Sequence, residues 1–164
     1  MKIAICLSGQ LRSSWRKCIP TIKDIFKEHE VHYFGHTWKT RSAPNFVKVT
    51  KGINDIEEVT NNEVQELRRE LPGIDLLVQQ DIEFEAGLDQ ALHDVNYQSQ
   101  FYGVKVAAHL KKRYEIENNS NFDLVVRLRW DTMFDEDWQV PQPKKDTLQV
   151  IHLGFEQGNH RSRC

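Results

Sequence analysis

The spacing of apolar residues changes period along the chain, and each change marks an element. Ile3 to Leu7 is a continuous apolar run containing β-branched residues and closed by Ser8-Gly9. That is the pattern of a fully buried strand ending in a tight loop. From Ser14 to about Glu28 the period becomes helical, with Trp15, Cys18, Ile19, Ile22, Ile25 and Phe26 on one stripe. Pro20 is expected to distort or shift the first turn of that helix. Val31 to Phe34 reads as a second strand running into "GHTWKT".

Arg41 to Thr60 shows no period. Asn61 or Asn62 is then expected to cap a helix through "NEVQELRREL", stopped by Pro72-Gly73. "IDLLVQQ" from Ile74 to Gln80 supplies a third strand, and Asp81 to Asn96 reads as an acidic, loop-like connection. A long helix is predicted from Tyr97 to about Glu117. Phe101, Val104 and Ala108 form one stripe and Gly103, Ala107, Leu110 and Tyr114 the next, which together predict a wide buried face. "FDLVVRLRW" from Phe122 is the fourth strand. "VPQPKKDT" is a turn-rich link, and "LQVIHLGF" from Leu148 to Phe155 is predicted to be a fifth. Strands alternating with helices imply an α/β domain with a mostly parallel sheet, and such sheets hold ligands at the carboxyl ends of their strands.

Composition narrows this picture without redirecting it. A chain of 164 residues is enough for one domain with a real core, and residues 1–164 are read as that single unit. A formal charge of −2 argues against a nucleic-acid or membrane-surface binder, because such proteins carry a marked basic excess. Lys111-Lys112-Arg113 is expected to be the solvated face of its helix. "MKIAICLSG" is too short for a signal-peptide core or a membrane span. Cys6, Cys18 and Cys164 are widely spaced, odd in number and free of any C-x-x-C pattern, so a reducing, cytoplasmic setting is expected.

The candidate chemistry gathers where strands end. In a parallel sheet "SGQLR", "GHTW" and "RWD" open on one edge and bring hydroxyls, backbone amides, arginines and a carboxylate together. Gly9 permits close backbone approach, and Arg12, Arg127 and Arg129 offer bidentate bonds to phosphate oxygens. Neither a Walker A sequence nor G-x-G-x-x-G is present. The period of two puts Arg127, Arg129 and Asp131 on one side of the fourth strand, with Leu128 and Trp130 on the other. The competing reading pairs these arginines with acids such as Asp123 or Asp135. His32 and His36 straddle a strand end, which is poor spacing for a shared zinc ion. Trp15 and Trp38 are expected to pack, and Cys6 to be a small core residue.

"KIAICLSGQLRSSWRKCIPT", "HYFGHTW" and "FYGVKVAAHLKKRYE…FDLVVRLRWDTMF", in that order, resemble glycosyltransferases of the GT-A type found in bacteria, phages and large viruses. The resemblance implies a Rossmann-like, three-layer GT-A sandwich, here minimal or truncated because little chain follows Phe134. In that family a D-x-D motif after a central strand holds a divalent cation against the diphosphate of a nucleotide sugar. "LRWDT" stands in the corresponding place, so Asp131 matches the second acid and Arg129 replaces the first. The implied roles are catalysis by Asp131 and Arg129, with Mn2+ or Mg2+ on Asp131. Arg129 in place of an acid opens the alternative of direct neutralisation of the diphosphate by a guanidinium. Ser8, Gly9, Gln10 and Arg12 would line the nucleotide pocket with Arg127. Lys105, taken to lie in the first turns of the long helix with Gln98 and Tyr102, would add a phosphate or sugar contact.

A literal D-x-D at Asp135-Glu136-Asp137 lies farther past the strand and reads as a solvated turn. The implied partners are a nucleotide-sugar donor and a glycan, protein or lipid acceptor, without nucleic acid or a membrane span. Two alternatives stay open. One is a nucleotide-sugar-binding module without turnover, and the other is a Rossmann-like nucleotidyltransferase.

Overall fold

The computed structural model describes residues 1–41, 57–80, 82, 93–135 and 137–143, and of residues 93–97 the backbone alone. Four strands, β1 (Lys2–Ser8), β2 (Glu30–Trp38), β3 (Asp75–Gln79) and β4 (Leu124–Arg129), form one sheet in the order β3-β2-β1-β4. All three pairings are parallel, with Ile5 opposite both Tyr33 and Val126. Helices α1 (Trp15–Phe26) and α2 (Asn61–Glu70) cover one face, and α3 (His93–Glu117) packs on the other. The described chain is therefore a three-layer α/β arrangement around a parallel sheet. The fifth strand expected over Leu148 to Phe155 lies outside the described residues, as does most of the acidic connection before α3.

β1 is apolar from Ile3 to Leu7 because both of its faces are covered there. Ile3, Ile5 and Leu7 pack with Trp15, Ile19, Ile22 and Phe26 of α1 and with Val64 and Leu67 of α2. Ala4 and Cys6 face the other way, where they meet Phe34 and Ala107. The small side chains at Ala4, Cys6, Gly103 and Ala107 let α3 lie close to the sheet. Burial pushes the Cys6 thiol up to about 11 against the opposing charge of Lys111, so it is an inert core residue.

Three expectations change. Pro20 lies inside α1, which continues through it with the proline exposed. Thr60, rather than Asn61 or Asn62, caps α2, because only Thr60 has an acid three residues on: its hydroxyl accepts from the Glu63 N–H and the Glu63 carboxylate accepts from the Thr60 N–H. α3 begins at His93, before the predicted Tyr97, and only one of its two apolar stripes is covered. Gly103 and Ala107 are buried, whereas Phe101 is 65% exposed. The cause is lateral placement: α3 packs over β1 and β2, leaving the same face of β4 open, where Val125 is 49% exposed.

Past β4 the chain crosses to the α1 face. Phe134 packs edge-on and Trp138 tilted against Phe26 at centroid distances of 6.0 and 5.9 Å, and the Phe134 N–H donates to Thr21 Oγ1 at 3.2 Å. Asp135 lies in a turn, its carbonyl accepting from the Trp138 N–H at 3.1 Å. That is the ordinary turn expected of the second D-x-D, whose middle residue Glu136 is outside the described residues.

Candidate functional site

Strand order locates the site before any side chain is considered. The chain leaves β1 toward β2 and β3 on one side and returns to β4 on the other side of β1. Open α/β sheets form a ligand crevice where the order reverses in this way, at the carboxyl ends of the two diverging strands. In this chain those ends are Ser8 and Arg129, which are register partners.

The β1 loop is held open by two local features. Gly9 has φ +112°, a conformation that L side chains rarely adopt, and the space a Cβ would enter is empty. The Leu11 N–H donates to Thr37 Oγ1 at 3.0 Å in a buried bond, tying the loop to the end of β2. The Arg12 N–H closes onto the Gln10 carbonyl at 3.0 Å. Arg12 is thereby carried toward β4.

The β4 end is a tight turn. The Thr132 N–H donates to the Arg129 carbonyl and the Arg129 N–H donates to Thr132 Oγ1, both at 3.1 Å. Across this turn Arg129 forks onto Asp131, Nε to Oδ1 at 2.8 Å and Nη2 to Oδ2 at 3.0 Å. Arg12 Nη1 stands 4.0 Å from Asp131 Oδ2. The fork is the main reason the Asp131 carboxyl is held below its usual range, burial opposing it and the Arg129 and Arg12 charges adding to it. Arg129 is raised in return. The Arg129 side chain is 50% exposed and Asp131 25%, so the guanidinium can still meet a ligand from solvent.

Arg127 is exposed two register steps back from Arg129, opposite Cys6, and among the described residues it has no carboxylate partner. Ser8, Gly9, Gln10 and Arg12 thus lie at and just past the end of β1 and Arg127, Arg129 and Asp131 at the end of its neighbour β4, with Arg12, Arg129 and Asp131 in direct contact range. The competing expectation of an ion pair with a nearby acid holds for Arg129, with Asp131 rather than Asp123 or Asp135 as its partner. Asp123 instead accepts from the Lys2 N–H at 2.7 Å.

Lys105 is not brought into this group. Because α3 starts at His93, Lys105 lies roughly three turns inside the helix, out of reach of the free amides at its start. It sits two residues from each of the buried positions Gly103 and Ala107, on the solvent side. The run Lys111-Lys112-Arg113 also differs from a uniformly solvated face: Lys111 is largely covered and pairs with Glu115 at 2.8 Å.

Mn2+ or Mg2+ needs about six oxygen ligands. Among the described residues the crevice supplies one carboxylate, and both of its oxygens already accept from Arg129. Among the described residues no three His, Cys, Asp or Glu side chains come together to hold a metal ion. This donor set does not fit a cation held by the protein alone.

Beside the crevice lies an aromatic and polar cluster that sequence reasoning did not assign. His36 is fully buried, its ring edge-on to Trp38 at 4.7 Å and 5.8 Å from Tyr102, while Trp38 and Tyr102 stack at 5.5 Å. Among the described residues neither imidazole nitrogen meets a partner in hydrogen-bonding geometry, and the nearby Gln79 amide donates to Tyr102 Oη at 3.0 Å. Burial therefore lowers the His36 pKa, and Gln79 opposes this only in part. Thr37, Trp130 and Thr132 were likewise missed as site-building residues. The hydroxyls at strand ends in "GHTW" and "RWDT" were the available signal.

No family model, curated protein or solved structure matches the chain. Among the described residues no helix is long and apolar enough to cross a membrane.

Proposed function

We propose that the protein is a GT-A-type glycosyltransferase that binds a nucleotide-diphospho-sugar in the β1–β4 crevice and transfers the sugar to a glycan, protein or lipid acceptor. The observation that carries this reading is the convergence of Arg12 and Arg129 on Asp131 at the switch point of a parallel sheet, with Arg127 exposed two residues back along β4. Two guanidinium charges against one carboxylate leave a net positive charge at Asp131, which suits a diphosphate. The order of the "SGQLR", "GHTW" and "RLRWDT" segments supports the sugar-donor class through its resemblance to GT-A enzymes.

In the transfer, the bond between the anomeric carbon and the distal phosphate oxygen breaks, the acceptor hydroxyl oxygen forms the new bond to that carbon, and the hydroxyl proton passes to the departing diphosphate. Negative charge then grows on the departing nucleoside diphosphate. Arg129 and Arg12 stand where they stabilise that charge, and Asp131 orients both. Direct neutralisation by arginine is the form of the chemistry this donor set favours.

A second reading, a binding module without turnover, is favoured by one observation. Among the described residues the one carboxylate of the crevice, Asp131, is engaged by Arg129 and so is not free to take a proton from an acceptor. Release of free nucleoside diphosphate from a panel of donor sugars, with and without Mn2+, separates the two. Release that is lost in Arg129→Ala supports transfer. Donor binding without release in either condition supports the module.

A further inference from the structure

Trp130 belongs to the turn that carries Arg129 and Asp131, yet its side chain goes to the opposite face of the sheet. It is 1% exposed, and its Nε1 donates to the His36 carbonyl at 2.9 Å in a buried bond. β4 and β2 are not neighbours, because β1 lies between them. Their axes are therefore about 10 Å apart, and the indole bridges that gap beneath the end of β1. At β2 it is received by Gly35: a Cβ there would stand 2.9 Å from Trp130 Cη2 and 2.9 Å from Leu76 Cδ1. Gly35 has no positive φ, so its lack of a side chain answers to packing. His36 then ties the anchor to the crevice, since Ser8 is its register partner.

We propose that Trp130 and Gly35 are a positioning pair: the indole, hydrogen-bonded to His36 and seated on Gly35, sets where the Arg129–Asp131 fork stands at the crevice. The strand's alternation makes this direct. Arg129 and Asp131 flank Trp130 in sequence and face the other side, so a shift of the indole displaces both together. The ligand part of this inference rests on the anion site proposed above, while the geometric part does not.

The test uses the full chain with Trp130→Phe, which keeps a ring but removes the donor, and Gly35→Ala, which crowds the indole from the other side. Phe134→Leu serves as a control that loosens the core beside Phe26 without touching the turn. The readouts are thermal stability, the titration of the Asp131 carboxyl by carbon-detected NMR, and the affinity for inorganic pyrophosphate. Both variants are expected to move the Asp131 titration up toward the ordinary carboxylate range and to weaken pyrophosphate binding about tenfold, the effect of losing roughly one hydrogen bond's worth of alignment. The Phe134→Leu control is expected to lower stability and leave both readouts at wild-type values. If Trp130→Phe and Gly35→Ala lower stability but leave the Asp131 titration unmoved, the pair is packing only and the inference is overturned. If wild-type protein binds no pyrophosphate, the anion-site reading fails, and the Asp131 titration still decides the positioning role.

Discussion

His36 is a buried residue beside the crevice whose protonation the fold opposes. It is fully buried among Trp38 and Tyr102 with its pKa lowered, so the folded state resists a proton that the unfolded chain accepts near pH 6.5. Its contribution to stability is therefore whole above about pH 6.5 and is lost as pH falls below that value, with a slope of up to about 1.4 kcal/mol per pH unit. Denaturant unfolding of wild type and His36→Gln from pH 7.5 to 5 is expected to show this slope in the wild type and its absence in the variant. Equal slopes would mean that the ring is solvated. The sequence showed His36 only as half of an unpromising H-x3-H pair. Its burial depends on α3 coming to lie over the end of β2, which no local pattern encodes.

Among the elements, α2 and α3 show what the sequence did and did not reveal. The period of α2 was legible, and so was its capping box once Thr60 was paired with Glu63, but two asparagines immediately after Thr60 competed as caps. The Glu63 carboxyl is held down to about 2: burial would raise it, but hydrogen bonds from the Thr60 backbone, Arg41 and the Thr60 hydroxyl outweigh that. Arg16 adds a bridge from α1 at 3.4 Å, joining α1, α2 and the segment after β2. Because this pKa is depressed, its stabilisation is present above about pH 4.3 and disappears as pH falls toward 2. Thr60→Ala is expected to cost about 1 kcal/mol at neutral pH, and the gap between wild type and Glu63→Gln to close across that acid window in denaturant titrations.

For α3, the two predicted stripes were both real in the sequence, but the helix lies over β1 and β2 with nothing described beside it over β4, so only one stripe is covered. Gly103 marks the covered stripe, since a Cβ would lie 2.9 Å from His36 Nδ1 and 3.6 Å from Ser8 Cβ. Alanine is favoured over glycine in a helix interior by about 1 kcal/mol. Gly103→Ala is nonetheless expected to destabilise by about 1–3 kcal/mol, because the buried ring has no free side to move to. A higher melting temperature for Gly103→Ala would show that α3 stands farther from the sheet.

At the scale of the whole molecule, alternating strand and helix periods made the parallel sheet legible, and the face-alternation of Arg127, Leu128, Arg129 and Trp130 was readable directly. What the pattern does not contain is strand order. That β4 returns beside β1, rather than continuing past β3, is settled by long-range packing. This return turns "SGQLR" and "RLRWD" into neighbours. Lys105 was misplaced for the complementary reason: its value as an anion contact depended on where α3 begins, and helix starts are poorly marked when acidic, loop-like sequence precedes them.

The β1–β4 crevice is proposed to bind a diphosphate through its arginines. The direct measurement is thermal unfolding and calorimetry of wild type and Arg129→Ala with pyrophosphate, nucleoside diphosphates and their sugars, first in EDTA and then with Mn2+. A nucleoside diphosphate at about a hundred times its dissociation constant should stabilise the wild type by about 2.7 kcal/mol in EDTA. Removing the Arg129 guanidinium should weaken binding by about tenfold or more. Stabilisation that is absent at every concentration, or that persists undiminished in Arg129→Ala, would contradict the account.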